Sequence, residues 1–522
     1  MIACLRTYGW ALLSGVLLAW AFPSFHWFPL AWIGLVPLLA ATRRSSPRLS
    51  AAQFFVAGWI FHTIVLQWLI GNVFWAGGWA ILGQQGVCIA LSGYWAVMGL
   101  VWAQAGKRLP AVLRSVALAV CWMAMEWFQA RLFTGFGWAS LGYSQGPDVW
   151  FSQLASLGGV LLLSGALVGF NALLTETLMA SHRRQKLLMI ALAFLAAVHG
   201  LGILLYGTVP EDEGPPFNVG LFQSNYSQQM KWDPDFQNQM LDMAIVQSEA
   251  VASQEAVDLF VWPEALIMRD YRTPRVLEAL RKFATKTDVP LFTGTVRRDP
   301  VTGDVYNASA LIDGEEEPLI YDKVKLAPFG EFIPFESYLS FARDLGAGGG
   351  ISSGDGPRIF DVGDRRFGPL ICFEVLFGPL ADERRRLGAD FLVVLTNLGW
   401  FRETNVLSQE LEIARFRAIE NRLPLVQCAN TGVSGVIDPF GRISIIDGAV
   451  TSAGRYITWG DDTPKRESAM VQRRVGALSL PKAATPLWPG SVLWFGRIAA
   501  FLGLIALTFL LRPQTAPDTG KS

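Results

Sequence analysis

The stretch Gly368-Pro-Leu-Ile-Cys-Phe-Glu-Val-Leu-Phe-Gly378 places a single thiol, Cys372, among apolar residues and a carboxylate, Glu374, two positions later. Its first residues predict a buried strand and the following ones a helix, so Cys372 is expected where the strand ends. Folds that alternate strands and helices hold their reacting groups outside the carboxyl ends of the strands. A free cysteine is nevertheless more often a small buried hydrophobic residue, and Cys428, in a similar apolar setting, is the comparison for that reading. Taken alone, the stretch favours a buried thiol.

The composition of the chain is typical of a membrane protein. Its 522 residues are 52% hydrophobic and only 16% charged, whereas soluble domains carry about 25% charged residues. The formal net charge of zero gives no basic surface for nucleic acid. The five cysteines show no paired spacing, so we predict no disulfide framework, no metal site and no cofactor.

Eight apolar runs approach the ~20 residues that a helix needs to span a bilayer. They lie at about 7–23, 27–42, 52–71, 79–104, 111–130, 154–177, 186–207 and 491–511. We therefore predict seven transmembrane helices in residues 1–208, a soluble domain in residues 209–486, and an eighth transmembrane helix with a short tail in residues 487–522. Arg6 before the first run would also suit a signal peptide, but more spans follow at once and no small-residue cleavage site stands out.

The positive charges predict the orientation of the chain in the membrane. Lys and Arg follow the second, fourth, sixth and eighth predicted helices, whereas the loops at 23–26 and 71–78 contain none. The residues concerned are Arg43, Arg44, Arg48, Lys107, Arg108, Arg114, Arg183, Arg184, Lys186, Arg512 and Lys521. By the positive-inside rule, both termini are expected in the cytoplasm and the soluble domain on the opposite side. Arg131, after the fifth predicted helix, opposes this bias.

The soluble domain alternates short apolar runs with helical segments. Strands are predicted at 217–222, 256–262, 290–296, 308–312, 368–373, 391–396, 424–429 and 435–438, and helices at 234–253, 274–287, 376–387 and 405–422. Strands that are apolar at nearly every position are buried on both faces. An α/β sandwich is therefore predicted.

The soluble domain must carry any chemistry without histidine. All four histidines lie in the membrane region or its loops, at His26, His62, His182 and His199. Ser-His-Asp and Cys-His pairs are thus excluded, and a general base must be a carboxylate or a lysine. Glu264 follows a predicted strand and Lys323 is expected at a strand edge, and with Cys372 they would suit a base, an oxyanion stabiliser and a nucleophile. Glu264 could instead be an acid at a helix N-terminus, and Lys323 an exposed strand lysine.

Three motifs resemble those of the nitrilase superfamily. They are Trp-Pro-Glu-Ala-Leu at 262–266, Tyr-Asp-Lys-Val-Lys-Leu-Ala-Pro-Phe-Gly-Glu-Phe at 321–332 and Leu-Ile-Cys-Phe-Glu at 370–374. The resemblance implies an α-β-β-α sandwich with a Glu-Lys-Cys triad. The membrane stretch 126–145 and Lys-Trp-Asp-Pro at 231–234 are similar to motifs of the bacterial apolipoprotein N-acyltransferase family. That family combines such a domain with membrane helices.

The resemblance implies a role for each matching residue. Cys372 would be the nucleophile, Glu264 the general base and Lys323 the oxyanion stabiliser, with Lys323 preferred to Lys325 by its place in the motif. Trp232 would contact substrate.

Two acids and one aromatic residue would support the triad. Glu331 and Glu374 match supporting acids of the family, although ordinary salt bridging is the alternative for both. Phe373 follows the cysteine where the family commonly has tyrosine, which keeps the ring and loses the hydroxyl. An Asp and a His of the family motifs are also missing, from 396–401 and 408–418 respectively. These departures leave the triad intact but could alter substrate preference.

The resemblance further implies the reaction and its partners. An acyl chain would pass from a phospholipid, of the phosphatidylethanolamine type, through a Cys372 thioester to the N-terminal amine of a diacylglyceryl apolipoprotein. The enzyme would be a monomer of the bacterial inner membrane with a periplasmic catalytic domain. The alternative is a membrane-tethered amidase or nitrilase that hydrolyses a small carbon–nitrogen substrate, although a tether needs only one helix.

The aromatic run 329–341 suggests a segment that contacts the membrane. We predict a mobile arm that dips into the membrane interface near the site, with Gly346–Gly350 as its hinge. The alternative is ordinary core packing of these aromatic side chains.

Overall fold

The computed structural model describes residues 2–23, 25–72, 77–207, 216–343, 348–402, 404–446, 448–450, 456–458, 474–486 and 490–512. The membrane part contains α1 (Ile2–Ala21), α2 (Val36–Thr42), α3 (Pro47–Val65), α4 (Trp79–Arg108), α5 (Ala111–Gln129), α6 (Ala155–Met179), α7 (Arg184–Leu205) and, after the soluble domain, α14 (Ser491–Leu511). Short 3-10 helices lie at Phe28–Trp32, Gln67–Asn72, Leu141–Gln145 and Phe151–Leu154.

Five helical segments of the described chain are long and apolar enough to cross a membrane. They are Trp79–Arg108, Ala111–Gln129, Phe151–Met179, Arg184–Leu205 and Ser491–Leu511. Thr7–Ala21 and Phe28–Thr42 are shorter apolar segments, and the third predicted span falls on α3, which ends at Val65. The several apolar helices are thus present, while the count of eight transmembrane helices stays a prediction.

The predicted span 27–42 is not one continuous helix. It divides into Phe28–Trp32 and α2, and each piece has a proline in its first turn, where a missing N–H does no harm. Leu35 N donates to Asn171 Oδ1 at 2.9 Å, and Asn171 Nδ2 donates to Ala31 O at 2.9 Å. One amide side chain on α6 therefore satisfies backbone groups that the break leaves free, as an apolar environment requires.

The soluble domain contains two sheets. The first is built from β1 (Phe217–Gln223), β2 (Leu259–Val261), β3 (Ile267–Asp270), β4 (Leu291–Arg298), β5 (Val305–Ile312), β6 (Leu319–Asp322) and β15 (Arg474–Leu480). Their order is β15-β1-β2-β4-β5-β6, and β3 also pairs with β4.

The second sheet carries the thiol. Its strands are β7 (Phe360–Val362), β8 (Arg365–Ile371), β9 (Phe391–Thr396), β10 (Leu425–Ala429), β11 (Gly435–Ile437), β12 (Ile443–Ile445), β13 (Gly448–Val450) and β14 (Tyr456–Thr458). They run in the order β14-β13-β12-β11-β10-β9-β8-β7, with β8, β9 and β10 parallel.

Helices cover the outer faces of both sheets. The domain helices are α8 (Gln228–Trp232), α9 (Pro234–Ala252), α10 (Pro274–Thr287), α11 (Glu336–Leu339), α12 (Gly378–Arg386) and α13 (Val406–Asn421). One core lies between the sheets, and a second lies between the first sheet, α9 and α10. A third joins the outer face of the second sheet, α12 and α13 to the membrane bundle. The predicted α-β-β-α sandwich is confirmed, and the bundle continues from its last helical layer.

The prediction of local structure succeeds where strands are long and apolar. The strand at 391–396 and the helix at 274–287 have the predicted bounds, but the strand predicted at 256–262 is only Leu259–Val261. The strand predicted to reach Phe373 ends at Ile371, so Cys372 lies just beyond it. Short strands such as β3 and β6 have too few apolar positions to stand out, and were missed.

Helix α13 is buried at every position from Val406 to Asn421. Its Gln409 accepts a 2.7 Å hydrogen bond from Trp138 Nε1, and its Glu420 accepts one of 3.0 Å from Val160 N. Because one face meets the sheet and the other meets the bundle, α13 joins the two parts of the molecule.

Candidate active site

Cys372 lies in a strained turn between a strand and a helix. β8 ends at Ile371, and a 3-10 helix, Cys372–Leu376, begins immediately. Cys372 has a φ of 50°, a left-handed conformation that costs a residue with a side chain about 1–2 kcal/mol. Cys372, taken as a whole residue, is partly exposed. Such a turn lifts a side chain out of the sheet and exposes it, as nucleophile turns do.

Glu374 holds this turn in place. Its buried carboxylate accepts hydrogen bonds of 2.8 Å from Ile371 N, 2.8 Å from Val324 N and 3.0 Å from Lys325 N. The hydroxyl of Tyr321 donates to it at 2.8 Å. Glu374 therefore ties the thiol turn to the segment after β6, which belongs to the other sheet. Ordinary salt bridging, the alternative for this acid, does not describe its contacts.

Glu264, Lys323 and Glu331 form a buried cluster beside the thiol. Lys323 Nζ lies 3.7 Å from Glu264 Oε1 and 2.9 Å from Glu331 Oε2. Asn307 Nδ2 donates to both acids, at 2.8 Å to Glu264 and 2.7 Å to Glu331. Ala327 N completes the set by donating to Glu331 Oε2 at 2.7 Å. Glu331 thus positions the lysine, and the alternative of an exposed strand lysine is wrong because only 1% of Lys323 is exposed.

Burial and charge set the protonation of these groups. Burial raises the pKa of Glu264, an effect that Lys323 opposes and Glu331 reinforces. Burial alone would lower the pKa of Lys323, but the carboxylates of Glu331 and Glu264 outweigh it and raise that pKa. The pKa of Cys372 is raised well above its ordinary value by burial and by Glu264, against the attraction of Lys323. Without substrate, the site therefore holds the neutral thiol of Cys372 near the charged ammonium group of Lys323.

Lys231 is a residue of the site that the sequence analysis missed. It is completely buried, and its Nζ donates a 3.2 Å hydrogen bond to Glu264 O. Burial lowers its pKa to about 8, while Glu264 and Cys372 act to raise it. The signal for it was local, because Lys231 is the first residue of the motif at 231–234 and directly precedes Trp232. That tryptophan is 45% exposed, and its ring lies 5.4 Å from the ring of Trp400.

Three further polar residues at the site were also missed. Asn307 and Thr396 lie on strands β5 and β9, and Glu410 lies on α13. Thr396 Oγ1 donates a 2.8 Å hydrogen bond to Glu410 Oε1, and the Thr396 hydroxyl also hydrogen-bonds to Cys372. The position of Thr396 at a strand end was a visible signal. Nothing local shows which face of a fully buried helix Glu410 occupies.

The contacts of Phe373 and Cys428 are those of side chains that pack against their neighbours. Phe373 is half-buried, and its ring packs edge-on against Phe377 at 5.3 Å. Cys428 is fully buried between the sheets, with Sγ donating to Val261 O at 3.1 Å. The interpretation of Cys428 as a core cysteine is therefore confirmed. In the described part of the chain, no cluster of three or more His, Cys, Asp or Glu residues is arranged to hold a metal ion.

A cavity of about 310 Å³ opens between the bundle and the domain. Its lining includes Phe133 after α5, Val160 on α6, Phe377 after the thiol turn and Val492 on α14. Charged groups of both signs, such as Lys325 and the ion-paired Arg417 and Glu420, also line this mostly apolar wall. The cavity brings membrane helices and the segment following Cys372 to one space.

The fold and this site define a class of protein, the carbon–nitrogen hydrolase domains of the nitrilase superfamily. Residues 218–463 match the carbon-nitrogen hydrolase family, and residues 14–173 match the apolipoprotein N-acyltransferase N-terminal domain. The apolipoprotein N-acyltransferase of Geobacter metallireducens is 33% identical over 84% of this chain and 86% of its own length. That of Azotobacter vinelandii is 31% identical over 87% of this chain and 89% of its own length.

The chain therefore belongs to the apolipoprotein N-acyltransferase family, as the motifs indicated. Among solved structures, Saccharomyces cerevisiae Nit3, a member of branch 10 of the nitrilase superfamily, is 19% identical, with a TM-score of 0.39, and the match covers 56% of this chain and 97% of that one. The family assignment does not depend on that likeness.

Proposed function

We propose that this chain transfers an acyl chain from a membrane phospholipid to the N-terminal amine of diacylglyceryl apolipoproteins through a thioester on Cys372. The observation that carries the proposal is the meeting of a buried acid, a buried cation and a strained thiol in a domain that packs on apolar helices. The names of the relatives supply the acceptor.

In the first half of the reaction, Glu264 accepts the proton of the Cys372 thiol as the sulfur attacks the ester carbonyl of the phospholipid. A carboxylate with a raised pKa is a better proton acceptor than an ordinary one. Lys323, held by Glu331, remains charged and stabilises the oxyanion. The lysophospholipid alkoxide takes the proton from Glu264 as it leaves, and the acyl chain stays on sulfur.

In the second half, the α-amino group of the apolipoprotein attacks the thioester carbonyl. Glu264 accepts the proton that the amine loses, and the Cys372 thiolate departs and recovers that proton as thiol. Lys323 again faces the oxyanion. One covalent intermediate and two lipid substrates give ping-pong kinetics.

The surroundings of the site suit substrates that remain in the bilayer. The cavity between α5, α6, α14 and the thiol turn gives acyl chains a route from the bundle. Trp232 is half-exposed and directly follows Lys231, whose ammonium contacts Glu264, so we assign it a substrate contact. Phe373 lies beside the nucleophile and supports the thiol turn by its contact with Phe377.

Finer points of the proposal rest on the family resemblance, the charge pattern and the site. The donor is of the phosphatidylethanolamine type, and the enzyme acts as a monomer because one chain supplies the acid, the lysine and the thiol. The catalytic domain lies on the periplasmic side of the inner membrane, with both termini in the cytoplasm.

The alternative, a tethered amidase for small carbon–nitrogen substrates, fits the molecule less well. The match to curated relatives extends through the bundle as well as the domain. The bundle and α13 are joined by buried polar contacts such as Trp138 to Gln409, which a simple tether would not need.

To test the proposed acyl transfer, purified enzyme is reconstituted in vesicles that contain phospholipid labelled in its acyl chain. We expect label on the protein that hydroxylamine releases, and transfer of label to an added apolipoprotein. Cys372→Ser should abolish both, whereas Cys428→Ala is the matched cysteine control and should retain both. Acylation of apolipoprotein by Cys372→Ser would refute the mechanism, and label appearing only as free fatty acid would favour a hydrolase.

A further inference from the structure

Glu410 is a buried carboxyl group at the site that the mechanism above does not use. It lies in the second turn of α13, and only 1% of its surface is exposed. Its Oε1 accepts the hydrogen bond from Thr396 Oγ1, whereas its Oε2 has no hydrogen-bond partner among the described residues. A buried carboxylate oxygen without a donor is costly. The surroundings therefore suit the neutral carboxyl group better than the carboxylate.

Thr396 links this carboxyl group to the nucleophile. Its hydroxyl contacts both Glu410 and the thiol of Cys372. A hydroxyl group has one hydrogen to donate, together with lone pairs that accept. When Glu410 is ionised, that hydrogen turns to the carboxylate. When Glu410 is protonated, it can donate to Thr396, and the Thr396 hydrogen becomes free for the sulfur.

Burial, more than the charged groups nearby, favours the protonated form of Glu410 near neutral pH. Glu264 after β2, Lys323 after β6 and Cys372 after β8 are the titratable groups that act on it from the packed elements. Burial raises the pKa of Glu410 to about 8, with repulsion from Glu264 adding to the rise and the Thr396 hydrogen bond and Lys323 opposing it.

We propose that Glu410 is a positioning residue for Cys372: its protonated carboxyl group donates to Thr396 Oγ1, so that the Thr396 hydroxyl donates its hydrogen to the Cys372 sulfur. The role rests on the proposed function of Cys372 as the nucleophile. When Glu264 takes the thiol proton, Thr396 stabilises the thiolate and Glu410 keeps its own proton. Ionised Glu410 would instead accept the Thr396 hydrogen, so the thiolate would lose that hydrogen bond. Its negative charge would also repel the thiolate.

The test measures the Cys372 thiol directly, without lipid substrates. Full-length enzyme in detergent is alkylated with iodoacetamide between about pH 6 and pH 9, a range in which thiolate formation controls the rate. Mass spectrometry of the Cys372 peptide separates this thiol from the other cysteines. We expect the rate to rise with pH and then to level off near the pKa of Glu410, about 8. A rate that rises steadily through this range in the unmodified enzyme overturns the proposal.

Glu410→Gln keeps a donor for Thr396 but cannot ionise. We expect an unchanged alkylation rate near pH 6.5 and a rate about three- to tenfold above that of the unmodified enzyme near pH 9, because one pKa unit is a factor of ten. Glu412→Gln makes the same exchange two residues on, where the carboxylate pairs with Arg415 at 3.3 Å, and should keep the levelling. Levelling that persists in Glu410→Gln overturns the proposal.

Lys231 also lies near the thiol and has a pKa in this range, lowered by burial to about 8. Lys231→Met should keep the levelling, and its loss in this variant would assign the effect to Lys231 and overturn the proposal. This variant also keeps the test decisive if Glu410→Gln fails to fold. The two proposals can fail separately. The vesicle assay with Cys372→Ser tests the proposed function, whereas the alkylation profile tests only the role of Glu410.

Discussion

Backbone position separates the nucleophile candidate from the core cysteine. Cys428 lies inside β10 and donates to a carbonyl of the neighbouring sheet. Cys372 lies one residue beyond β8, in a left-handed turn. The two thiols have similar apolar neighbours in the sequence, yet one lies inside a core strand and the other in a turn at the candidate active site. Glu374 accepts hydrogen bonds from Ile371 N, just before the turn, and from Val324 N beside the other sheet. These contacts hold the geometry of the turn and explain why an acid stands two residues after the thiol.

We expect Glu374→Gln to destabilise the protein and disable the thiol turn. An amide must point its N–H groups at backbone donors that the carboxylate now accepts from, at a cost of about 3 kcal/mol in the free energy of unfolding. Denaturant unfolding in detergent and the alkylation rate of Cys372 measure the two effects. Glu383→Gln, with a side chain 38% exposed, is the control and should change stability by less than about 0.5 kcal/mol. Equal effects of the two substitutions would contradict this role.

At the scale of elements, the aromatic segment 329–341 differs from an ordinary packed loop. Phe329, Phe335, Tyr338 and Phe341 are 45%, 59%, 83% and 56% exposed. Core packing, the alternative for this run, does not describe these four side chains. The ring of Phe335 lies 6.3 Å from that of Phe133, at the end of membrane helix α5. Residues 346–347 of the predicted hinge Gly346–Gly350 lie outside the described residues, so the mobility of the arm stays a prediction.

We predict that position 335 enters the membrane interface. A fluorophore on Phe335→Cys in vesicles should be quenched by lipids that carry a quencher near the head group. The same label on Glu315→Cys, which lies beside α10 in the helical layer farthest from the bundle, should not be quenched. Equal quenching at both positions, or none at 335, would refute the dipping arm.

At the scale of the whole molecule, the domain and bundle are joined by buried polar contacts. Arg422, at the end of α13, donates to Gln153 Oε1 at 2.7 Å and to Ser156 Oγ at 3.1 Å. Arg417 on α13 donates to the Tyr143 hydroxyl at 3.0 Å. Such contacts are lost only at high cost when the two parts separate. They fix the catalytic domain relative to the membrane helices.

The orientation of the molecule can be tested with single added cysteines. An impermeant maleimide should label Glu315→Cys in intact spheroplasts, because the domain is expected outside the cytoplasm. Ser181→Cys, in an exposed loop beside Arg183 and Arg184, should react only after lysis. The parent protein, with its own cysteines, gives the background. The reverse pattern of labelling would invert the predicted topology.

The sequence by itself was enough for the class of fold, the membrane character and the triad candidates. Long apolar strands such as 391–396 indicate burial on both faces through local pattern alone. Glu264, Lys323 and Cys372 lie within the family motifs at 262–266, 321–332 and 370–374. These features depend on residues that are close together along the chain. They can therefore be predicted from the sequence alone.

Tertiary structure alone decided the partners of the buried polar groups. Glu374 binds Val324 across 50 residues of chain, and Glu410 reaches the site from a helix whose every residue is buried. When both faces of a helix are covered, the polar and apolar alternation that marks an exposed face disappears. Whether a buried acid is paired, protonated or catalytic then depends on groups that folding brings together from distant parts of the chain.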